Sequence, residues 1–149
     1  MLYFIYAIVT IATFLVMEGV TWFTHKYIMH GFLWVLHKDH HIPSHQGVFE
    51  KNDSFFIIFA TPSILLLYFG IRPDLIVLFF IGLGIFFYGM AYFLVHDVFI
   101  HQRFKWLKNV KHPYFSWLRR AHKMHHVNKT KGECFGMLLV PGKYRQEEV

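Results

Sequence analysis

Three stretches without any charged side chain dominate the sequence, at residues 2–17, 54–71 and 75–95. A helix that crosses a lipid bilayer needs about 20 consecutive, largely apolar residues. The third stretch is long enough by itself, the second is slightly short, and the first qualifies if the helix continues through Glu18 to Thr24. The pattern predicts an all-α integral membrane protein with spans at residues 2–24, 54–71 and 75–95, and it leaves a fourth span open.

The polar residues concentrate in two segments, at 24–53 and 96–149, which we interpret as the parts outside the bilayer of a single domain covering residues 1–149. Within the third span, glycines predict close approach of neighbouring helices, because glycine lacks a side chain; these are Gly82, Gly84 and Gly89. The short apolar run CFGMLLV at residues 134–140 cannot cross a bilayer. We expect it to be interfacial or packed on the domain.

The basic residues are distributed unevenly along the chain. Fourteen of the fifteen lysines and arginines lie in segments 24–53 and 96–149, and only Arg72 lies in the turn between the second and third spans. Positively charged loops stay on the cytoplasmic side of a membrane, so both segments are predicted to be cytoplasmic. The net charge of +6 then lies almost wholly on one face, where lipid headgroups or an acidic soluble partner could bind.

The histidines form a second pattern. Ten of the twelve lie in four clusters, with the spacings HxxxxH, HxxHH, HxxxxH and HxxHH in that order. Positions i, i+3 and i+4 share one face of an α-helix, so each HxxHH cluster presents three imidazoles together. Positions five apart are separated by about 140° on a regular helix, so we expect a helix end or a local distortion at each HxxxxH pair. The clustered residues are His25, His30, His37, His40, His41, His96, His101, His122, His125 and His126.

Both HxxHH faces continue apolar stripes, which contain Leu33 in the first case and Phe115 and Leu118 in the second. The imidazoles should therefore point inward, where a polar group without a partner is costly. A metal ion is a partner that several imidazoles can share. Ten ligands are too many for one tetrahedral zinc ion, and the count suits two metal ions with open positions. Imidazole binds zinc, iron, copper and nickel, so the ligand type alone does not choose the metal.

Non-enzymatic roles for these clusters are the main alternatives. Histidine clusters can sense protons or form a loose metal-buffering tract, but ordered, doubled spacing on predicted helices argues against a loose tract. A non-enzymatic metal-binding membrane protein, such as a transporter, would place ionisable ligands at the bilayer midplane. The clusters here lie at the edges of the predicted spans, which favours catalysis.

The complete series of clusters resembles the membrane fatty acid hydroxylase superfamily of histidine-box diiron enzymes. More closely, MEGVTWFTHKYIMHG, FEKND, YFLVHDVFIHQRF and AHKMHH are similar to segments of bacterial β-carotene hydroxylases, over residues 17–141. The resemblance implies a non-haem diiron monooxygenase of the bacterial inner membrane, with two iron ions, O2 as co-substrate and ferredoxin as electron donor. The implied reaction hydroxylates the β-rings of a carotenoid at carbon 3, giving β-cryptoxanthin and zeaxanthin. A related hydroxylase acting on a fatty acid, a sterol or a keto-carotenoid is the alternative.

Two acidic residues stand close to the clusters. Glu18 precedes His25 by seven positions and shares its helix face, and Asp97 adjoins His96. Each could support an imidazole from outside the ligand set. The alternatives are an interfacial acid for Glu18 and a pair with Arg103 for Asp97.

The source of electrons lies outside the chain, because the sequence contains no nucleotide-binding glycine fingerprint and no other cofactor motif. The basic cytoplasmic segments suit an acidic ferredoxin. Arg119 and Arg120 are the residues expected to take part in this docking, and reversing their charge is expected to weaken turnover.

Overall fold

The chain is built from helices joined by short connections. The computed structural model describes residues 1–42, 47–127 and 134–145, and no β-strand occurs within these ranges. The longer elements are α1 (Leu2–Phe23), the π-helical segment π1 (Thr24–Phe32), α2 (Trp34–His41), α3 (Ser54–Phe69), α4 (Ile76–Tyr92), the π-helical segment π2 (Phe93–Ile100) and α5 (Pro113–Val127). Single 3-10 turns lie at Lys51–Asp53, Pro73–Leu75, Lys105–Leu107 and Gly142–Tyr144. The predicted all-α class is confirmed.

Three helical runs in the described ranges are long and apolar enough to cross a bilayer: Leu2–Phe32 with 31 residues, Lys51–Phe69 with 19 and Pro73–Ile100 with 28. At about 1.5 Å rise per residue, even the shortest run approaches the ~30 Å hydrocarbon thickness of a bilayer. Large apolar side chains point outward along them, as shown by Phe56 and Ile57, which are 64% and 66% exposed. Lipid is the solvent that such a surface needs, and the three predicted spans are confirmed as candidates.

The described chain forms two compact units. The first consists of Met1–Met17 and Lys38–Ala91, and the second consists of Glu18–His37 and Tyr92–Val149. Each unit therefore combines an early part of the sequence with a later part, and α1 contributes residues to both.

Glycines allow close helix packing in the first unit. The Ser63 hydroxyl donates to the Gly82 carbonyl at 2.8 Å, and a Cβ atom added at Gly82 would lie 2.9 Å from the backbone of α3. A Cβ atom at Gly84 would lie 2.6 Å from the Cβ of Thr13 in α1. The predicted role is confirmed for these two glycines. It is wrong for Gly89, because a Cβ atom there would meet nothing within 4 Å.

The core of the second unit forms where residues 134–140 lie against α5. Leu118 and Ala121 of α5 cluster with Val140, and Met137 is also buried. The prediction that the run 134–140 packs on the domain is confirmed, as is the inward direction of Leu118. Burial of these side chains removes apolar surface from water and holds the segment in place.

Candidate metal centre

Each HxxxxH pair begins on a π-helical segment, His25 and His30 on π1, and His96 on π2 with His101 directly after it. A π-helix joins residues i and i+5, as the His101 N–H does when it donates to the His96 carbonyl at 2.9 Å. Side chains five residues apart then lie on the same side. The ring centroids are 5.1 Å apart in the first pair and 4.5 Å apart in the second. The local distortion expected from the sequence is therefore a π-helix in both cases.

Four imidazoles of the second unit form what we call the first histidine group: His25, His30, His37 and His125. Their ligand nitrogens all lie within 4.8 Å of one another. The Nε2 atoms of His25 and His37 are 3.1 Å apart, and so are those of His30 and His125. Elements π1, α2 and α5 each contribute to this group. Histidines from distant parts of the sequence therefore lie close together.

A second histidine group in the same unit contains His96, His101, His122 and His126. The Nε2 atom of His122 lies 2.8 Å from that of His101 and 2.9 Å from that of His126. The His96 ring lies 4.5 Å from the His101 ring and 4.9 Å from the His122 ring, measured between centroids. A ring nitrogen offers one hydrogen or one lone pair, so His122 Nε2 cannot make both contacts as linear hydrogen bonds. A metal ion between the nitrogens would satisfy all of them.

The distances within both groups match a metal coordination shell. Metal–nitrogen bonds of about 2.1 Å place neighbouring ligand nitrogens roughly 3.0 to 3.4 Å apart, depending on the bond angle, and the observed Nε2 pairs are separated by a similar 2.8 to 3.1 Å. Imidazole ligands suit iron, zinc, copper and nickel, whereas calcium and magnesium prefer oxygen. The donor set therefore fits one or two transition-metal ions, including iron.

Burial favours the neutral, metal-binding form of three of these imidazoles, His101, His122 and His125. Desolvation, followed by the neighbouring imidazoles, lowers the pKa of His122 well below its usual value. The same causes lower the pKa of His125 to about 3 and that of His101 to about 2. A ligand histidine must be neutral, so these three imidazoles could bind a metal ion at neutral pH without first losing a proton. The lowered pKa values also argue against proton sensing near neutral pH by these three residues.

The last two clustered histidines, His40 and His41, end α2 and belong to the first compact unit, where both are buried. The His40 Nδ1–H donates to Glu50 Oε2 at 2.8 Å, which leaves Nε2 as the ligand atom. The Glu50 N–H in turn donates to the Asp53 carboxylate at 3.0 Å. Sequence reasoning missed the role of Glu50, although the Glu50–Asp53 spacing in FEKND has the form of a capping box.

Glu18 lies in the second unit, and its side chain faces the segment after α5. It is only 8% exposed, and its Oε1 accepts the N–H groups of Leu138 and Leu139 at 2.9 Å each. The His25 Nδ1–H donates to the Phe135 carbonyl of the same segment at 2.9 Å. Glu18 and His25 therefore bind one stretch of backbone, an arrangement that helix periodicity could not indicate.

Asp97 makes both of the contacts that the sequence left as alternatives. Its Oδ1 accepts from Arg103 Nη1 at 2.7 Å, and its Oδ2 lies 3.4 Å from His96 Nδ1. The carboxylate thus joins a cation to a clustered histidine. Its part in supporting His96 as a ligand stays a prediction.

Arg119 is less available for docking than the sequence suggested. Its Nη2 donates to the Phe99 carbonyl at 3.0 Å, and its guanidinium lies 4.3 Å from the centre of the Phe99 ring. Reversing this charge would disturb the packing of α5 on π2 as well as any partner. Lys108 and Lys111, which are exposed on the same unit, are cleaner positions for a docking test.

Comparison with known proteins identifies relatives over most of the chain. The family described as fatty acid hydroxylase matches residues 10–141. A beta-carotene hydroxylase of Pantoea ananas is 41% identical over 137 residues, which cover 91% of this chain and 77% of that protein. One of Paracoccus sp. (strain PC1) is 37% identical, covering 90% and 83%. The chloroplastic beta-carotene 3-hydroxylase 2 of Arabidopsis thaliana is 42% identical, covering 78% and 39%. No solved structure matches significantly.

Proposed function

Because the chain belongs to the fatty acid hydroxylase family, we propose that it is a membrane β-carotene 3-hydroxylase, which uses O2 to convert β-carotene to β-cryptoxanthin and zeaxanthin. The observation that carries this proposal is the pair of partly buried histidine groups, which include residues at the ends of the candidate spans Leu2–Phe32 and Pro73–Ile100. A carotenoid dissolves in the bilayer, so a site at the end of a span suits a substrate that stays in lipid. Relatives named beta-carotene hydroxylase add further support.

We infer that each histidine group holds one iron ion. His40 and His41 share a helix face with His37 on α2, and for that reason we propose that they complete the ligand set. An imidazole-rich set accepts iron, and a hydroxylase needs a redox-active metal. Bound iron supplies the redox chemistry that activates O2 towards an unactivated C–H bond.

The Phe135 side chain is placed to exclude water from the first histidine group. Its ring centroid lies 5.4 Å from that of His25 and 4.8 Å from that of His125. A dry site strengthens the interactions made inside it and limits side reactions. Phe135 thus covers one side of the candidate metal-binding nitrogens.

Two carboxylates orient imidazoles from outside the ligand set. Glu50 accepts the Nδ1–H of His40, and Asp97 lies beside Nδ1 of His96. Such contacts fix the ring and make its other nitrogen a better ligand. Their task in the reaction is to keep the ligand geometry constant.

Expression in cells that accumulate β-carotene, followed by chromatography of the pigments, tests the substrate assignment. We expect β-cryptoxanthin and zeaxanthin with the wild-type chain and unchanged β-carotene with His125→Ala. His112→Ala is the matched control, because His112 is exposed and lies outside the clusters. Unaltered pigments in cells that contain folded, iron-loaded protein would exclude the carotenoid assignment.

The metal and the oxidant need a separate test on purified protein. We expect about two iron ions per chain, since two histidine groups are present, and we expect O2 consumption that depends on iron and on substrate. Zinc-loaded protein serves as the control, because zinc binds the same ligands without redox chemistry. Metal binding without any O2 consumption would favour the non-enzymatic alternative.

We propose that the protein lies in a bacterial inner membrane with its metal centre on the cytoplasmic face. The distribution of lysines and arginines supports this orientation. Asp74→Cys in a Cys134→Ser background should react with a membrane-impermeant thiol reagent added to spheroplasts. Lys123→Cys in the same background should react only after lysis, and the reverse pattern would contradict the orientation.

Ferredoxin is the proposed electron donor, and the exposed basic side chains Lys108 and Lys111 are proposed to take part in docking. Lys108→Glu combined with Lys111→Glu should lower kcat/KM for ferredoxin at low salt. The difference should shrink as salt screens surface charge. Arg72→Glu is the control, since Arg72 lies in the turn between the second and third candidate spans. Equal kinetics of the double variant and wild type at every salt concentration would exclude docking there.

A further inference from the structure

We propose that Glu18 is a positioning residue for the ligand His25 and acts through the backbone of residues 135–139. This inference rests on the proposed metal centre and gives a specific task to a carboxylate in the candidate span Leu2–Phe32. A buried carboxylate is costly unless its oxygens are hydrogen-bonded. Its contacts therefore indicate what it contributes.

One end of the connection is the Glu18 carboxylate itself. A single oxygen, Oε1, accepts two consecutive backbone N–H groups, those of Leu138 and Leu139, at 2.9 Å each. Consecutive N–H groups that converge on one point form an anion-binding concavity. The chain thus provides a built acceptor site for this side chain, 120 residues away in the sequence.

Gly136 allows the segment to approach the carboxylate this closely. A Cβ atom at residue 136 would lie 2.5 Å from Glu18 Oε1 and 3.3 Å from its Cδ. Any side chain at this position would have to displace the carboxylate from its place. The glycine and the carboxylate therefore form a matched pair.

The other end of the connection is the Phe135 carbonyl, which accepts the His25 Nδ1–H at 2.9 Å. Because a carbonyl only accepts, this bond places the proton on Nδ1 and leaves a lone pair on Nε2. That Nε2 lies 3.1 Å from His37 Nε2 in the first histidine group. Only two residues separate Phe135 from Leu138, so a shift of the backbone at Glu18 moves the acceptor of His25.

Other contacts also hold this segment. The Tyr114 hydroxyl donates to the Leu138 carbonyl at 2.5 Å, and Arg145 Nε donates to the Val140 carbonyl at 3.0 Å. Loss of Glu18 should therefore loosen the segment locally without releasing it. We expect the first histidine group to bind metal more weakly, while the second group keeps its metal affinity.

Titration of purified protein with Co²⁺, followed by its ligand-field absorption, tests this inference without requiring turnover. Wild type should bind two Co²⁺ ions. Glu18→Ala should bind one ion as before and the other about 10–100-fold more weakly, as is typical when the partner of a ligand histidine is lost. Glu18→Gln should restore both sites, because its amide oxygen can accept the same two N–H groups. Asp74→Ala is the control, since it removes an exposed carboxylate paired with Arg72.

Two results would overturn the inference: equal Co²⁺ affinity of Glu18→Ala and wild type at both sites, or a loss in Glu18→Gln as large as in Glu18→Ala. If Glu18→Ala fails to fold, Gly136→Ala tests the same connection and should weaken the same single site. A wild-type protein that binds no Co²⁺ would contradict the proposed metal centre itself. If wild type binds two ions and Glu18→Ala weakens one site, but no carotenoid is hydroxylated, only the proposed substrate is excluded.

Discussion

A buried imidazole can act as a ligand when its two nitrogens have different tasks. His25 donates its Nδ1–H to the Phe135 carbonyl at 2.9 Å, and His40 donates its Nδ1–H to the Glu50 carboxylate at 2.8 Å. In both cases Nε2 keeps its lone pair. If both histidines bind metal as proposed, a carboxylate partner and a carbonyl partner would give them different strengths as ligands.

At the scale of single residues, Glu50 offers the clearest prediction. Glu50→Ala should weaken metal binding by about 10–100-fold, because His40 would lose the partner that fixes its ring. Glu50→Gln should be milder, since an amide oxygen can still accept the Nδ1–H. Competition with a coloured chelator measures the change, and Asp74→Ala is the control. Unchanged affinity in Glu50→Ala would contradict the role.

The helical elements show which features a sequence can and cannot reveal. The two HxxHH clusters lie on regular α-helices, as the i, i+3, i+4 spacing predicted. The HxxxxH pairs required a distortion, but nothing local distinguished a π-helix from a helix end. Gly84 and Gly89 look alike in sequence, yet only Gly84 has another helix against it. Whether a glycine packs against another helix depends on tertiary contacts, and local sequence periodicity carries no information about these.

These two glycines provide a prediction at the scale of elements. Gly84→Ala should lower the free energy of unfolding by about 1–3 kcal/mol, because overpacking forces the backbones apart. Its added Cβ would lie 2.6 Å from the Thr13 Cβ. Gly89→Ala is the matched control and should be close to neutral. Thermal unfolding in detergent measures both, and equal loss in the two variants would show that α1 and α4 do not pack as described.

At the scale of the whole molecule, contacts between residues distant in the sequence could not be predicted from the sequence. The clustered histidines could be named from the sequence as candidate ligands, and the resemblance named the proposed chemistry. The link between Glu18 and residue 138 spans 120 positions, and that between His30 and His125 spans 95. No periodic pattern connects such segments, because their contact depends on how the helices pack. The contacts of Glu50 and Phe135 were therefore missed, while the gathering of the histidines was predicted.

The convergence of four elements on two groups predicts that metal binding supports the fold of the second unit. Its candidate ligands come from π1, α2, π2 and α5 and from His101, so a bound ion would join parts that are distant in the chain. A ligand that binds only the folded state at 100 times its Kd adds about 2.7 kcal/mol of stability. Chelation should therefore lower the thermal unfolding midpoint of wild type clearly, and that of His125→Ala by less, because one site is already impaired. His112→Ala should behave as wild type. Identical midpoints for metal-loaded and chelated wild type would mean that the histidines gather without help from an ion, so that the metal contributes to chemistry alone.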